Sequence, residues 1–224
     1  MVSQTDSVPI GVSRSFWGLL MAEPLAGASV LDIGTGTGRL ALALAPHCRW
    51  VVGIDRDAEA IGEAVRRAKE RGLANAEFAV LDAEGPEDYE NLVGERRRPD
   101  LIVAHLCVSD RIIQSSGRSL EAGHALAFVA FHVDQWRETG RRSRFAYDED
   151  RARRVLAGAG FAVEHLEVEQ EVQRFDSVEA ALAAAIGLQE RWKADGRWFH
   201  YMRFLEEGGR TLTRSHLIVK ARKT

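Results

Sequence analysis

The sequence predicts an α/β fold, a doubly wound and mostly parallel sheet with helices on both faces. Three observations predict it. Short apolar runs of strand length alternate with helix-period segments along most of the chain. The first run, Val30-Leu31-Asp32-Ile33, enters a glycine-rich turn, Gly34-Thr35-Gly36-Thr37-Gly38, that opens directly into a helical pattern. The length of 224 residues suits one decorated domain.

Each element has its own signal. After the glycine turn, residues 39–45 read as a helix, and Pro46 is placed to stop it. The second strand is 50–55. Residues 58–71 carry Ile61, Ala64, Val65 and Ala68 at helical spacing, and Gly72 is placed to end that helix. The third strand is 76–81. Pro86 can begin a helix through Tyr89, Leu92 and Val93. The fourth strand is 100–104, followed by a short helical stretch at 109–119, and the fifth is 125–131. Asp148 suits the N-cap of a helix over 149–159 with Ala152, Val155, Leu156 and Ala159 on its inner face. Gly160 ends it. Residues 161–168 and 211–221 complete the count at seven strands.

Two segments lie outside this alternation. Residues 1–24 form an N-terminal helical cap, with Phe16, Trp17, Leu19 and Leu20 on an apolar-faced helix at 13–21. It packs on the sheet edge or covers the ligand pocket. Residues 170–209 form a helical insertion between the last two strands. Asp176 and Glu179 have capping-box spacing, and Val178, Leu182, Ala185 and Ile186 share a helix face. Trp192, Trp198, Phe199, Tyr201, Met202, Phe204 and Leu205 form a dense aromatic group. Such a group packs as core, forms a dimer contact or walls a pocket.

Composition narrows the partners. Apolar content of 46% and charged content of 28% are those of an ordinary globular domain. No apolar run approaches a bilayer span, and the polar N-terminus lacks a signal-peptide core, so a cytoplasmic location is expected. Cys48 and Cys107 fit no metal spacing, and no metal site is expected. A net charge of −3 gives no global attraction for nucleic acid. Arginines nevertheless cluster at 96–98 and at Arg137, Arg141, Arg142 and Arg144. Both clusters read as solvated surface, and the second could also bind an anion. A homodimer is compatible with the aromatic insertion.

The glycine turn carries the chemistry. Glycines permit positive φ and close approach of a ligand to the main chain. A second acid, Asp55, closes the next strand about 20 residues on, where a carboxylate can bond ribose hydroxyls. An adenosine-containing ligand follows. Gly36-x-Gly38-x-x-Ala41 formally fits a nicotinamide dinucleotide fingerprint. Against it, Asp32 would crowd a pyrophosphate, and the glycines begin at Gly34, one step too early.

Asp32-x-Gly34-x-Gly36-x-Gly38 with Asp55, followed by Asp82 after the third strand, resembles the signature of the class I S-adenosylmethionine-dependent methyltransferases. The resemblance covers roughly residues 25–168 and 211–222. It implies a Rossmann-like seven-stranded sheet whose last strand is antiparallel. It also implies that Asp32, Gly34, Thr35, Gly36 and Gly38 form the loop beside the methionine part of the cofactor. Asp55, with Arg56 beside it, would take the ribose hydroxyls, and Asp82 and the Ala83 backbone the adenine. The product would be S-adenosylhomocysteine.

Ligands bind beyond the carboxyl ends of the strands in such sheets. His105, after the fourth strand, and His132, after the fifth, are therefore candidate bases, with His105 also beside the cofactor. Asp110 and Asp134 are alternatives. The stretch Ala104-His105-Leu106-Cys107 has no proline, which departs from the branch methylating amino groups of nucleic acid or protein glutamine. No cysteine pair is placed for attack on pyrimidine carbon five. The sequence thus points to methyl transfer to a small-molecule acceptor. An RNA methyltransferase, or a protein that binds the cofactor without transfer, are the alternatives.

Overall fold

A computed structural model describes residues 8–85 and 98–224. The helix expected from Pro86, with Arg96 and Arg97, lies outside the described residues. The strands are β1 (Ser29–Ile33), β2 (Trp50–Asp55), β3 (Ala76–Val80), β4 (Leu101–His105), β5 (Ala125–Phe131), β6 (Phe161–Arg174) and β7 (Thr211–Lys223). They form one sheet in the order β3-β2-β1-β4-β5-β7-β6. The first five are parallel to one another. β7 runs antiparallel, because His124 pairs with Lys223 whereas His132 pairs with Ser215. The chain builds outward from β1 to β3 and then returns to β4. The strand order therefore reverses between β1 and β4, where Ile33 sits beside Ala104.

The helices are α1 (Arg14–Met21), α2 (Arg39–Leu44), α3 (Ala58–Glu70), α4 (Asp110–Ser119), α5 (Glu149–Gly158), α6 (Val178–Ala185), α7 (Gln189–Asp195) and α8 (Arg197–Glu206). Local caps start several of them. Ser13 Oγ accepts from Phe16 N–H at α1, Asp57 from Glu59 and Ala60 N–H at α3, and Ser109 from Ile112 N–H at α4. Pro46 lies in a single 3₁₀ turn, Ala45–His47, that follows α2. No helix among the described residues is long and apolar enough to cross a membrane.

The chain divides into two compact units. The first comprises Met1–Ala130, Glu149–Leu166 and Ile218–Thr224. Its core joins Phe16, Trp17 and Leu20 of α1 with Leu40, Ala41 and Leu44 of α2 and with Val30, Val51, Val103 and Val129 of the strands. The N-terminal helix is thus part of this core. Burying Phe16, Trp17 and Leu20 contributes on the order of 1.5–3 kcal/mol per side chain. A buried ionic group secures the same end: Glu23 bonds Arg222 at 2.8 Å and Lys220 at 2.5 Å, and Arg222 also reaches Glu164. Hydrogen bonds from Arg222 and Lys220 hold the Glu23 carboxyl below the usual carboxylate range.

The second unit comprises Phe131–Asp148 and Glu167–Leu217. Trp136, Trp192, Tyr201, Leu205 and Leu212 form its core, with Trp192 stacked edge-on between Trp136 and Tyr201. The aromatic group of the insertion is therefore largely the core of its own unit. Three expectations are corrected here. The cap of α6 is Ser177, whose Oγ accepts from Ala180 N–H, and not Asp176. Ile186 is exposed, because the helix tightens into a 3₁₀ turn at Ile186–Leu188 and rotates it out of the α6 face. β6 runs to Arg174, past the expected start of the insertion; its distal half is polar and is held by main-chain bonds such as Phe175 N–H to Arg210 C=O.

Candidate functional site

The glycine loop is built from left-handed backbone. Gly34, Gly36 and Gly38 have φ of +69°, +54° and +81°. Their reasons differ. A Cβ at Gly34 would overlap the Cβ and Sγ of Cys107, and one at Gly38 would press on Ala64 and Leu42. A Cβ at Gly36 would meet no protein atom within 4 Å, so only its backbone angle and whatever approaches the loop require glycine there. Gly34 N–H and Thr35 N–H both donate to Ile54 C=O, which ties the loop to β2.

Asp32 is buried at 1% exposure, and its carboxylate turns back into the loop. Oδ2 accepts from Thr35 Oγ1 at 2.7 Å and from Ala41 N–H at 3.2 Å. Burial pushes its carboxyl up to about 7, against the lowering effect of those two bonds. Asp32 and Thr35 therefore act in the structure as the internal brace of the loop.

Asp55 closes β2 and is half-buried. Its Oδ2 accepts from Gly36 N–H at 2.8 Å and its Oδ1 from Asp57 N–H at 3.0 Å. Each oxygen has two acceptor positions, so a lone-pair site remains on each for a neighbouring diol. Arg56 follows it and is exposed. Asp82 is exposed beyond β3, where Oδ1 accepts from Glu84 N–H at 3.0 Å and its carbonyl from Gly85 N–H at 2.8 Å; Ala83 lies within that turn. The loop, a fixed acid beside it and an exposed acid after β3 fit the backbone-approaching, ribose-binding and adenine-binding needs of an adenosyl ligand.

His105 ends β4 in the register position beyond the Ile33–Ala104 pair, next to the glycine loop. Arg39, the first residue of α2, places Nη2 3.1 Å from His105 Nδ1 and donates from Nη1 to Ile10 C=O at 3.2 Å. The Phe16 ring lies 5.9 Å from the imidazole, tilted by 50°. Leu106 then adopts φ of +61°, uncommon for a branched side chain, with its N–H bonded to Val129 C=O. Cys107 packs against Gly34, and burial together with the nearby acids Asp55 and Asp32 pushes its thiol up to about 11. None of these contacts to Arg39 or Leu106 was legible in the sequence, where Arg39 is simply the start of an amphipathic helix.

His132 lies in the second unit. It is buried, with Nδ1 3.0 Å from Ser215 Oγ and 3.4 Å from Asp134 N–H. Ser215 N–H donates in turn to Gln135 Oε1. Asp110 pairs with Arg151 at 3.0 Å. Of the second arginine cluster, Arg141 donates to Asp195 C=O and Arg144 lies over the Phe145 ring. Among the described residues no group of histidines, cysteines and acids could hold a metal ion.

A β3-β2-β1-β4-β5-β7-β6 sheet with antiparallel β7, a braced glycine loop after β1 and acids after β2 and β3 define the class of Rossmann-like, S-adenosylmethionine-dependent methyltransferases. The chain belongs to the methyltransferase domain family, whose model matches residues 25–209. A putative methyltransferase from Bacillus halodurans C-125 superposes with a TM-score of 0.66 at 20% identity, over 94% of this chain and 99% of that one. At that identity the likeness is one of fold. Two curated relatives are closer in sequence over shorter spans. The 23S rRNA (uracil(1939)-C(5))-methyltransferase RlmD of Methylococcus capsulatus is 36% identical over 72 residues, 32% of this chain and 16% of that protein. The aklanonic acid methyltransferase DauC of Streptomyces sp. (strain C5) is 42% identical over 69 residues, 30% of this chain and 31% of that protein. The chain thus spans less than a third of the length of each of these two proteins.

Proposed function

We propose that this chain transfers a methyl group from S-adenosylmethionine to a small-molecule acceptor. The observation that carries the proposal is the Gly36–Asp55 pair. One N–H of the glycine loop fixes the carboxylate that ends β2, and a diol-binding acid is thereby set against a loop that a ligand backbone can approach. When bound, the cofactor supplies an electrophilic methyl carbon on its sulfonium. The chain's residues supply the rest. Asp55, with Arg56 beside it, holds the ribose. Gly34, Gly36 and Gly38, braced by Asp32 and Thr35, shape the loop. Asp82 and the Ala83 backbone hold the adenine. His105 faces the transfer from the end of β4. The proposed catalytic role of His132 rests on its position after β5.

Two observations favour a small molecule over RNA. The net charge of −3 offers no electrostatic footprint for a polyanion. Methylation of pyrimidine carbon five, as named for the relative from Methylococcus, needs a cysteine nucleophile. Burial, with nearby acids at Cys107, pushes both thiols of this chain up to about 11, which disfavours the thiolate that such an attack requires. Incubation with tritiated-methyl cofactor and separate pools of cellular small molecules and RNA tests the proposal. Label in the small-molecule pool supports it. Label in RNA alone overturns the acceptor class, and binding of the donor with label in neither pool supports a binder without transfer.

A further inference from the structure

We propose that Arg67 of α3 is a positioning residue for the cofactor. Through Thr37 it fixes the glycine loop relative to Asp55, and it thereby sets how much tighter S-adenosylhomocysteine binds than adenosine alone. The inference rests on the methyltransferase reading, in which Asp55 takes the ribose and the loop lies beside the amino-acid part. It begins with a bond between residues 30 positions apart, in which Arg67 Nη1 donates to Thr37 Oγ1 at 3.0 Å. A guanidinium has only N–H donors, so the hydroxyl oxygen accepts. Thr37 stands between Gly36 and Gly38, and both it and Arg67 are half-buried.

Arg67 is itself aimed. Its Nε donates at 2.6 Å to Glu63 Oε1, one turn earlier on α3, which orders the side chain while Nη1 reaches the loop. Ala64 of the same helix is buried beside Gly38, at the end of the loop. The start of α3 is joined to the ribose acid. Asp57 caps the helix, and its N–H donates to Asp55 Oδ1 at 3.0 Å. Asp55 Oδ2 in turn accepts from Gly36 N–H. These bonds close a ring from Asp55 through Asp57 and α3 to Arg67, across to Thr37, and back through Gly36. The ring holds the acid and the loop at one spacing. Adenosine uses Asp55 and the adenine turn at Asp82, so that spacing matters little to it. A ligand that also carries an amino-acid part must meet acid and loop together, and a preset spacing raises its affinity.

Isothermal titration of the full chain with S-adenosylhomocysteine and with adenosine tests the inference, with thermal unfolding as the check on the fold. Arg67→Met and Thr37→Val are each expected to weaken S-adenosylhomocysteine by about 3- to 10-fold, the scale of one ordinary hydrogen bond, and to leave adenosine unchanged. The double variant is expected to bind no more weakly than either single one, because both remove the same bond. Arg66 is the control: it shares Glu63 but pairs with Glu70 on the exposed side of α3, and Arg66→Met is expected to leave both affinities unchanged. Unchanged S-adenosylhomocysteine affinity in either single variant, losses that add in the double variant, an equal loss of adenosine, or the same effect from Arg66→Met overturns the inference. Failure of the wild type to bind S-adenosylhomocysteine would instead overturn the methyltransferase reading on which it rests.

Discussion

Replacing Asp55 tests the cofactor site most quantitatively. Its carboxylate does two jobs that can be separated. It accepts from Gly36 N–H at 2.8 Å and Asp57 N–H at 3.0 Å, which fixes the loop, and it is proposed to accept from the ribose hydroxyls. Hydrogen bonds to a charged group are worth about 1.5–3 kcal/mol. Losing the ribose bonds in Asp55→Ala should therefore raise the S-adenosylhomocysteine Kd by about 10- to 150-fold. The two N–H groups it releases lie at a half-buried position that water can reach, so the stability cost should be only about 1 kcal/mol. Asp55→Asn keeps one carbonyl oxygen for Gly36 N–H but replaces the other acceptor with a donor. It should retain most of the stability and still lose at least tenfold in affinity. Isothermal titration and thermal unfolding of the three proteins give both numbers. Wild-type affinity in Asp55→Ala would refute the ribose role. Affinity lost only in proportion to unfolding would reduce Asp55 to a loop brace.

Other expectations follow from single contacts. Gly36→Val should abolish S-adenosylhomocysteine binding while circular dichroism still reports an α/β protein, since the added Cβ meets no protein atom within 4 Å and the strain of a β-branched residue at φ of +54° falls on the loop alone. Asp32, raised by burial to about 7 from 3.8, favours the folded state when protonated. Its contribution is full below the unfolded value and is lost as pH rises through about 7. Asp32→Asn should therefore narrow the stability difference between pH 5 and pH 8 in urea titrations, and an unchanged difference would exclude Asp32 as its source. Glu23 behaves in the opposite sense. Its lowered pKa makes its contribution full above the unfolded value and lost as pH falls through the folded one. Glu23→Gln should cost about 3 kcal/mol at pH 7, the low end for breaking a buried pair, because Lys220 and Arg222 keep Glu164. A cost below 1 kcal/mol would show that the pair is not coupled to folding.

Much of the fold was legible because its signals are local. β5 runs from Ala125 to Phe131 as its uninterrupted apolar run indicates, and β2 ends on Asp55. Ser13 and Ser109 cap where a polar residue precedes an apolar period. The glycine loop and its acids were legible because positive φ at Gly34, Gly36 and Gly38 admits few other residues. What was not legible depends on partners distant in sequence. The end of β6 has no apolar pattern, since main-chain bonds hold it. The partners of Asp32 inside the loop, Thr35 Oγ1 and Ala41 N–H, do not follow from the motif's spacing. The Arg39–His105 contact joins residues 66 positions apart, and no periodicity or spacing rule reaches that far. The left-handed Leu106 belongs to the same kind, because its N–H bonds Val129 on a different strand.

The loop between β1 and α2, with Asp55, is proposed to be an S-adenosylmethionine-type site. Thermal unfolding with S-adenosylhomocysteine or NAD tests it most directly. A ligand that binds only the native state at 100 times its Kd stabilises by about 2.7 kcal/mol. For a chain of this size that is a rise in Tm of about 5–10 °C. That rise is expected with S-adenosylhomocysteine, is lost in Gly36→Val, and does not occur with NAD. A rise with NAD and none with S-adenosylhomocysteine would contradict it.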